Sequence, residues 1–395
     1  MGATMTTNSP TRLRWTDLVQ LGSPPIHGIT ELTGSLADVV GLIETVIGRR
    51  SHSSRRRVPS AGLGYPYEIL LATDDFDALA VVDLAQRNVR TADPDRFRDT
   101  DEGYVCLLVG RPWLSMRKYG PRGYLYHLID SGHALFDLAL LGSQTDDPPV
   151  TIPTSARDQI HGKVLGIGRI RPGQSASPHP CWRLVVTDAH QMQVGRTAFE
   201  ELALNIVPQS STPVPVVFDT SGSLDVPACL DALAARTSAS TFIPAPHPGI
   251  STAIGEGLTW GRTMLAQLGL PEPGVTVAGG LDCATPIPQG DLLAALAGQY
   301  HLVDAQAFLV FSVGAGEAEH IDDGRQALLL AIGVVGQAVY LAAAANGVGV
   351  TGVGGISPEF WNAALPHGQH ALYLMALGTA APADKSDALM QGGHP

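Results

Sequence analysis

Several things are scarce in this 395-residue chain, and each scarcity excludes something. Lysine occurs only at 118, 163 and 385, so nearly all of the 25 basic residues are arginine. Each lysine is therefore worth inspecting for a specific task. The four cysteines (Cys106, Cys181, Cys229, Cys283) are scattered without a CxxC pair. That spacing gives neither a zinc ribbon nor a disulfide framework, and the expected compartment is the reducing cytoplasm. Charged residues make up only 16% of the chain, which is low for a freely exposed surface, so part of that surface is expected to be covered. The net charge of −12 argues against nucleic acid, whose phosphates call for a basic face. No HExxH or acidic cluster marks a metal site, and no GxSxG or P-loop marks a serine hydrolase or nucleotide hydrolase. The start, MGATMTTNSPTRLRW, has no apolar stretch and reads as something other than a secretory signal. The only long apolar run, Ala327–Ala345, contains Gln337 and reads as a buried core helix rather than a membrane span.

What is present supports two or three domains, since 395 residues exceed one ordinary core and 45% are hydrophobic. Helical spacing is expected at Leu36–Ile47 and Tyr126–Leu141, and strands at EILLAT, YVCLLV and WRLVVT. The Pro/Ser/Thr-rich stretch 207–227 is the best linker candidate. A helix is expected at Ala228–Ala235, followed by a Gly/Pro-rich stretch to about 290 and a helix at Gly290–Ala297. A strand at Ala307–Val313, the long helix, a turn near Phe360 and the strand ALYLMALG complete the chain. Strand, long apolar helix and loop occur in the same order in both parts, which reads as a degenerate internal duplication. The halves are set at 1–206 and 207–395.

Four motifs carry chemistry. Pro59-Ser60-Ala61-Gly62 is a small-residue turn entering a strand, able either to lie against a planar ring or merely to turn the chain. Lys118-Tyr119 pairs one of the three lysines with a phenol; a cation beside a phenol favours the phenolate, and partial burial makes a lysine a better base. The alternative is a solvated basic loop. Arg236-Thr237-Ser238 follows a helix, and its guanidinium suits a phosphate or, more simply, the helix dipole. GVGVTGVGG, from Gly347, contains a literal GxGxxG, but it follows a helix rather than a strand, which defeats a dinucleotide reading. Its glycines still permit close backbone approach to a ligand. His133 reads as a satisfied structural histidine, with Asp130 orienting it.

Together these segments resemble one family. RRRVPSAGLGYPYEI and KYGPRGYLYHLIDSGHALFDLAL look like the SagB-type (McbC-like) azoline dehydrogenases of the FMN-dependent nitroreductase superfamily. RTSASTF, NGVGVTGVGG and ALYLMALG look like the second part of that pattern. The resemblance implies an α+β fold of two tandem nitroreductase-like domains, each a mostly antiparallel sheet flanked by helices, packed as a pseudo-dimer around FMN. It implies Lys118 and Tyr119 as catalytic residues. It assigns Pro59, Ser60, Ala61, Gly62, Arg236, Ser238, Gly349, Gly352, Gly354, Gly355 and Lys385 to the cofactor. The first half is read as lacking an Arg-x-Ser and a glycine loop, and the second as lacking the Pro-Ser turn and Lys-Tyr pair. One complete site per chain is therefore expected. Ser240 stands where the family often has a basic residue, and Arg55–Arg57 or Arg325 could take its place. The implied reaction is oxidation of a thiazoline or oxazoline to the azole on a peptide or carrier-bound intermediate. A cyclodehydratase or synthetase would be a partner, and the chain a monomer or homodimer without nucleic acid or membrane. The rival readings are an NAD(P)H-dependent nitro- or quinone reductase and a flavin-free scaffold.

Overall fold

A computed structural model describes residues 28–30, 32–50, 55–91, 97, 100, 103–141, 152–153, 156, 160, 163–173, 224–279, 285–314 and 323–382. The strand expected at WRLVVT, most of the linker, the boundary at 207, and Cys181, Cys283 and Lys385 lie outside these residues.

The first half holds β1 (Gly28–Thr30), α1 (Gly34–Ile47), β2 (Tyr67–Ala72), β3 (Leu79–Asp83), β4 (Asn88–Thr91), β5 (Tyr104–Gly110), α2 (Pro112–Tyr119), α3 (Gly123–Ala139) and β6 (Lys163–Ile170). Its strands form an antiparallel sheet in the order β1-β4-β3-β2-β5-β6. The second half holds α4 (Val226–Ala235), β7 (Phe242–Ile243), α5 (Ile250–Leu268), β8 (Gly274–Gly279), α6 (Leu292–Ala295), β9 (Ala307–Gly314), α7 (Asp323–Ala345), β10 (Gly349–Val353), α8 (Pro358–Asn362) and β11 (Gln369–Ala380). Its sheet runs β10-β11-β9-β8, with β7 on the end of β11. Every strand pairing is antiparallel, and no strand of one half pairs with the other among the described residues.

The halves meet through helices. All seventeen residues of α3 are buried, which its apolar spacing alone would not require of a surface helix. α3 packs against α7, which also packs against α5, so one continuous hydrophobic core runs through both halves. The segment Gln326–Ala345 is long and apolar enough to cross a membrane, yet 94% of an 18-residue stretch of it is buried inside the protein, as expected of a core helix.

Two expectations are corrected. The Gly/Pro-rich stretch after 244 contains α5, a nineteen-residue helix. Its glycines depress helix propensity in isolation, but a Cβ at Gly257 would sit 2.7 Å from the Val339 Cα and one at Gly261 3.1 Å from the Val335 Cα. Glycine there permits close packing on α7. The helix expected at Gly290–Ala297 shrinks to the single turn of α6, capped by Asp291. A smaller shift occurs at α4, which starts at Val226 because the Asp225 carboxylate accepts from the Ala228 N–H at 3.0 Å.

Candidate functional site

A cavity of about 590 Å3 opens between the halves, within the range that holds small ligands and cofactors. The first half lines it with Arg50, Arg55, Arg56, the turn Pro59–Gly62, Tyr119, Arg122, Tyr126, Asp130 and His133. The second half adds Arg236, Ser238, Gln299, Tyr340, Thr351, Gly352, Gly354, Gly355 and Tyr373.

The Pro59–Gly62 turn is fixed by Asp130. Asp130 is buried on α3, where its Oδ2 accepts from the Ser60 hydroxyl at 2.6 Å and from the Ala61 N–H at 3.0 Å. Ser60 Oγ in turn accepts from the Tyr65 N–H at 2.8 Å. Burial raises the Asp130 carboxyl to about 7, against the opposing pull of these two donors. The expectation that Asp130 orients His133 is thus corrected: its acceptor oxygen is committed to the turn. Gly62 adopts φ +56°, in the left-handed region, and a Cβ there would lie 2.1 Å from Lys118 Nζ and 2.3 Å from Tyr119 Oη. Both side chains of the Lys-Tyr pair therefore close over this glycine. Lys118 Nζ donates to the Gly62 carbonyl at 3.3 Å and stands 5.4 Å from the Tyr119 ring centroid. Lys118 is exposed, so the partial burial expected of it is not found. The Tyr119 ring meets Tyr126 edge-on at 5.1 Å.

The other end of the cavity is cationic. Arg236 caps the end of α4 and is 4% exposed. Its Nε donates to the Arg57 carbonyl at 2.5 Å and its Nη1 to Ser238 Oγ at 3.4 Å. Its guanidinium lies 5.2 Å from the Tyr340 ring. Burial, then the nearby Arg236, lowers the pKa of His133 to about 3, so its ring is neutral at physiological pH. Neither ring nitrogen has a hydrogen-bond partner; the Pro59 carbonyl lies toward the ring but outside hydrogen-bond geometry. His133 is thus buried, unsatisfied and part of the cavity wall, not the satisfied core histidine expected. The glycine loop closes the remaining side. Gly352 N–H donates to Tyr340 Oη at 2.6 Å, and a Cβ at Gly352 would fall 2.0 Å from Tyr373 Oη. Gln299 Nε2 donates to the Gly355 carbonyl at 3.0 Å.

Of the residues singled out in the sequence, Pro59, Ser60, Ala61, Gly62, Tyr119, Arg236, Ser238, Gly352, Gly354 and Gly355 line this cavity, and Lys118 adjoins it over Gly62. Gly349 does not: it lies in β10, where a Cβ would meet Ala380 and Gly378, so it serves strand packing. Lys385 lies outside the described residues. Arg50, Arg122, Tyr126, Gln299, Tyr340 and Tyr373 were not anticipated. A related pattern exists beside Arg50: Arg49-Arg50-Ser51 follows α1 much as Arg236-Thr237-Ser238 follows α4, with Arg49 in the place of Arg236. The first half therefore does carry an Arg-x-Ser in sequence, although Ser51 lies outside the described residues. Its missing glycine loop, after α3, lies outside them too.

No protein-family profile and no curated protein matches the chain. Among solved structures, a protein from Anabaena variabilis ATCC 29413 described as a nitroreductase is similar over 94% of this chain and 96% of its own, with TM-score 0.59 and 15% identity. A protein from Ralstonia eutropha JMP134 with the same description covers 45% of this chain and 96% of its own at 19% identity, TM-score 0.30. A Desulfitobacterium hafniense DCB-2 nitroreductase with bound FMN covers 39% of this chain and 90% of its own at 17% identity, TM-score 0.28. The first of these likenesses covers nearly the whole of both chains, and by it the chain has the nitroreductase fold.

Proposed function

We propose that the cavity binds one FMN per chain between the two halves, and that the protein is an FMN-dependent oxidoreductase. The observation that carries this reading is the convergence, from opposite halves, of the Pro59–Gly62 turn and the Arg236–Ser238 pair on one cavity. The residues fit the group. Arg236, Ser238 and Arg50 offer charge-assisted donors to a phosphate. The turn presents small residues to a planar ring, and His133 and Gly352 line the same cavity.

Within that class we favour oxidation of a thiazoline or oxazoline to the azole, on a peptide or carrier-bound intermediate. The support is the Lys118-Tyr119 pair closing over Gly62. When bound, FMN supplies the two-electron acceptor, and dioxygen restores it. Tyr119 Oη, at the edge of the turn, would take the ring proton. Lys118 Nζ holds a positive charge beside that phenol. Asp130 keeps Ser60 and Ala61 in place while this occurs, and Ile129 and Val58 supply apolar wall. The ring loses one hydrogen as that proton and one as hydride with its electron pair, which balances the two-hydrogen oxidation. A cyclodehydratase or synthetase would make the azoline upstream.

The test is mass spectrometry of an azoline-containing peptide incubated aerobically with the FMN-loaded protein. A loss of two hydrogens is expected. An unchanged mass together with rapid anaerobic bleaching by NADPH would replace this reading with a nitro- or quinone reductase. A protein that takes up no FMN would point to a scaffold.

A further inference from the structure

Beyond the flavin cavity, the chain gathers positive charge where its overall charge of −12 would not predict it. After α1 the backbone folds into a short hairpin: Arg50 N–H donates to the Arg55 carbonyl and Arg57 N–H to the Gly48 carbonyl, each at 3.0 Å, with Arg49 bridged to Arg56. This hairpin and the β3–β4 turn border a second cavity, of about 540 Å3, lined by Gly41, Glu44, Thr45, Arg49, Arg50, Arg57, Leu84, Ala85 and Arg87. Four guanidinium groups share it with one carboxylate, Glu44, which is already held by Arg87 at 2.6 Å. Arg49, Arg50 and Arg57 have no ion-pair partner among the described residues. Arg57 Nε is buried without a hydrogen-bond acceptor. Three like charges held together cost free energy unless an anion offsets them.

We propose that this second cavity is a binding site for a phosphoryl group, distinct from the flavin phosphate and continuous with the flavin cavity through Arg50. Arg50 lines both cavities, so an anion here lies beside the flavin site. A phosphoryl group fits better than an acidic peptide. Its charge is compact and accepts several guanidinium forks at once, whereas carboxylates along an extended peptide are spread over about 3.3 Å per residue and alternate faces. The arginines converge on one cavity rather than forming a stripe. The phosphoryl group could come from a nucleotide or from a phosphopantetheine arm carrying the substrate.

Calorimetric titration of the FMN-loaded full chain with inorganic pyrophosphate, at fixed ionic strength, tests this. Saturable binding is expected. The Arg49→Gln/Arg57→Gln variant should bind at least tenfold more weakly while keeping its flavin absorbance. Glu44→Gln, which removes the carboxylate and frees Arg87, should bind severalfold more tightly, a gain that misfolding cannot produce. Equal affinity in all three proteins would overturn the proposal. So would tighter binding of an acidic peptide of matched charge. Adenosine 2′,5′-bisphosphate and 4′-phosphopantetheine serve as competitors: displacement by one identifies the source, and displacement by neither counts against the site. Flavin content and pyrophosphate heat are separate signals, so the proposed flavin function and this site can fail independently.

Discussion

Gly132 of α3 and Gly333 of α7 are each placed where a Cβ would strike the backbone of the other helix. At Gly132 it would lie 2.2 Å from the Leu330 carbonyl oxygen and 2.9 Å from the Gly333 Cα. At Gly333 it would lie 2.1 Å from the Ile129 carbonyl oxygen and 2.8 Å from the Gly132 Cα. The carbonyl struck belongs in both cases to the residue three positions before the opposing glycine. The contact is therefore self-complementary, as at a two-fold interface, although it lies within one chain.

Gly333→Ala should destabilise the protein by about 3 kcal/mol, at the upper end for overpacking, because the obstacle is backbone and cannot swing aside. Gly132→Ala should behave alike, and the double variant should cost less than the two together, since the sites share one contact. Denaturant midpoints measure all three. An unchanged midpoint for either single variant would contradict the close crossing.

Asp130 gives a pH signature. Its folded pKa is raised to about 7 by burial, above the unfolded value of about 3.9. Between those values the folded chain holds a proton that the unfolded chain has lost, so this group's contribution makes stability fall as pH rises from about 4 to 7 and level off above. Asp130→Asn should remove that component. The difference in unfolding free energy between wild type and variant, followed against pH, should slope through this window; a flat difference would show that the carboxyl titrates normally.

His133 carries the opposite linkage. Its pKa is lowered to about 3, chiefly by burial, so the unfolded chain takes up a proton first, and stability falls as pH drops from about 6.5 toward 3. The ring should give constant NMR shifts between pH 5 and 8. Titration near 6.5 would mean that the ring reaches solvent.

Under the proposed function, Tyr119→Phe should keep FMN and lower azole formation by about 10²- to 10⁴-fold, the usual range for removing a general base. Lys118→Ala should act in the same direction and likewise keep FMN. Turnover by mass spectrometry and flavin content by absorbance separate chemistry from binding, and normal turnover in the double variant would remove the pair from the mechanism.

Arg236→Gln should weaken FMN about 100-fold, in line with removal of a buried charge-assisted donor. Fluorescence titration of flavin-depleted protein measures this, and an affinity within threefold of wild type would place the phosphate elsewhere.

The parts legible in the sequence are those written in consecutive residues. Pro59–Gly62, Lys118-Tyr119, Arg236–Ser238 and Gly352–Gly355 are local patterns, and all adjoin the cavity. Strands such as YVCLLV and the long helix follow from apolar runs. What escaped depends on tertiary contacts. α5 is hidden by glycines that make sense only beside Val335 and Val339. Tyr340 and Tyr373 read as core residues of a helix and a strand, and only the folded chain brings them to Gly352. Asp130 and His133 share a helix and looked like partners, but Asp130 faces Ser60. Arg50 was lost among neighbouring arginines, and only the folded chain brings it to the cavity wall.

The crossing of Gly132 and Gly333 has a consequence for how such a site can change. In an assembly of two identical chains every substitution appears twice, once on each side of the axis, and an alteration that favours one pocket is imposed on the other. Here the two sides of the axis are separate stretches of one chain. Arg50 and the arginines beside it line the pocket from one side, and Tyr340 lines it from the other. A residue can be altered on one wall while the opposite wall keeps its chemistry, so one pocket can be refined at the expense of its counterpart.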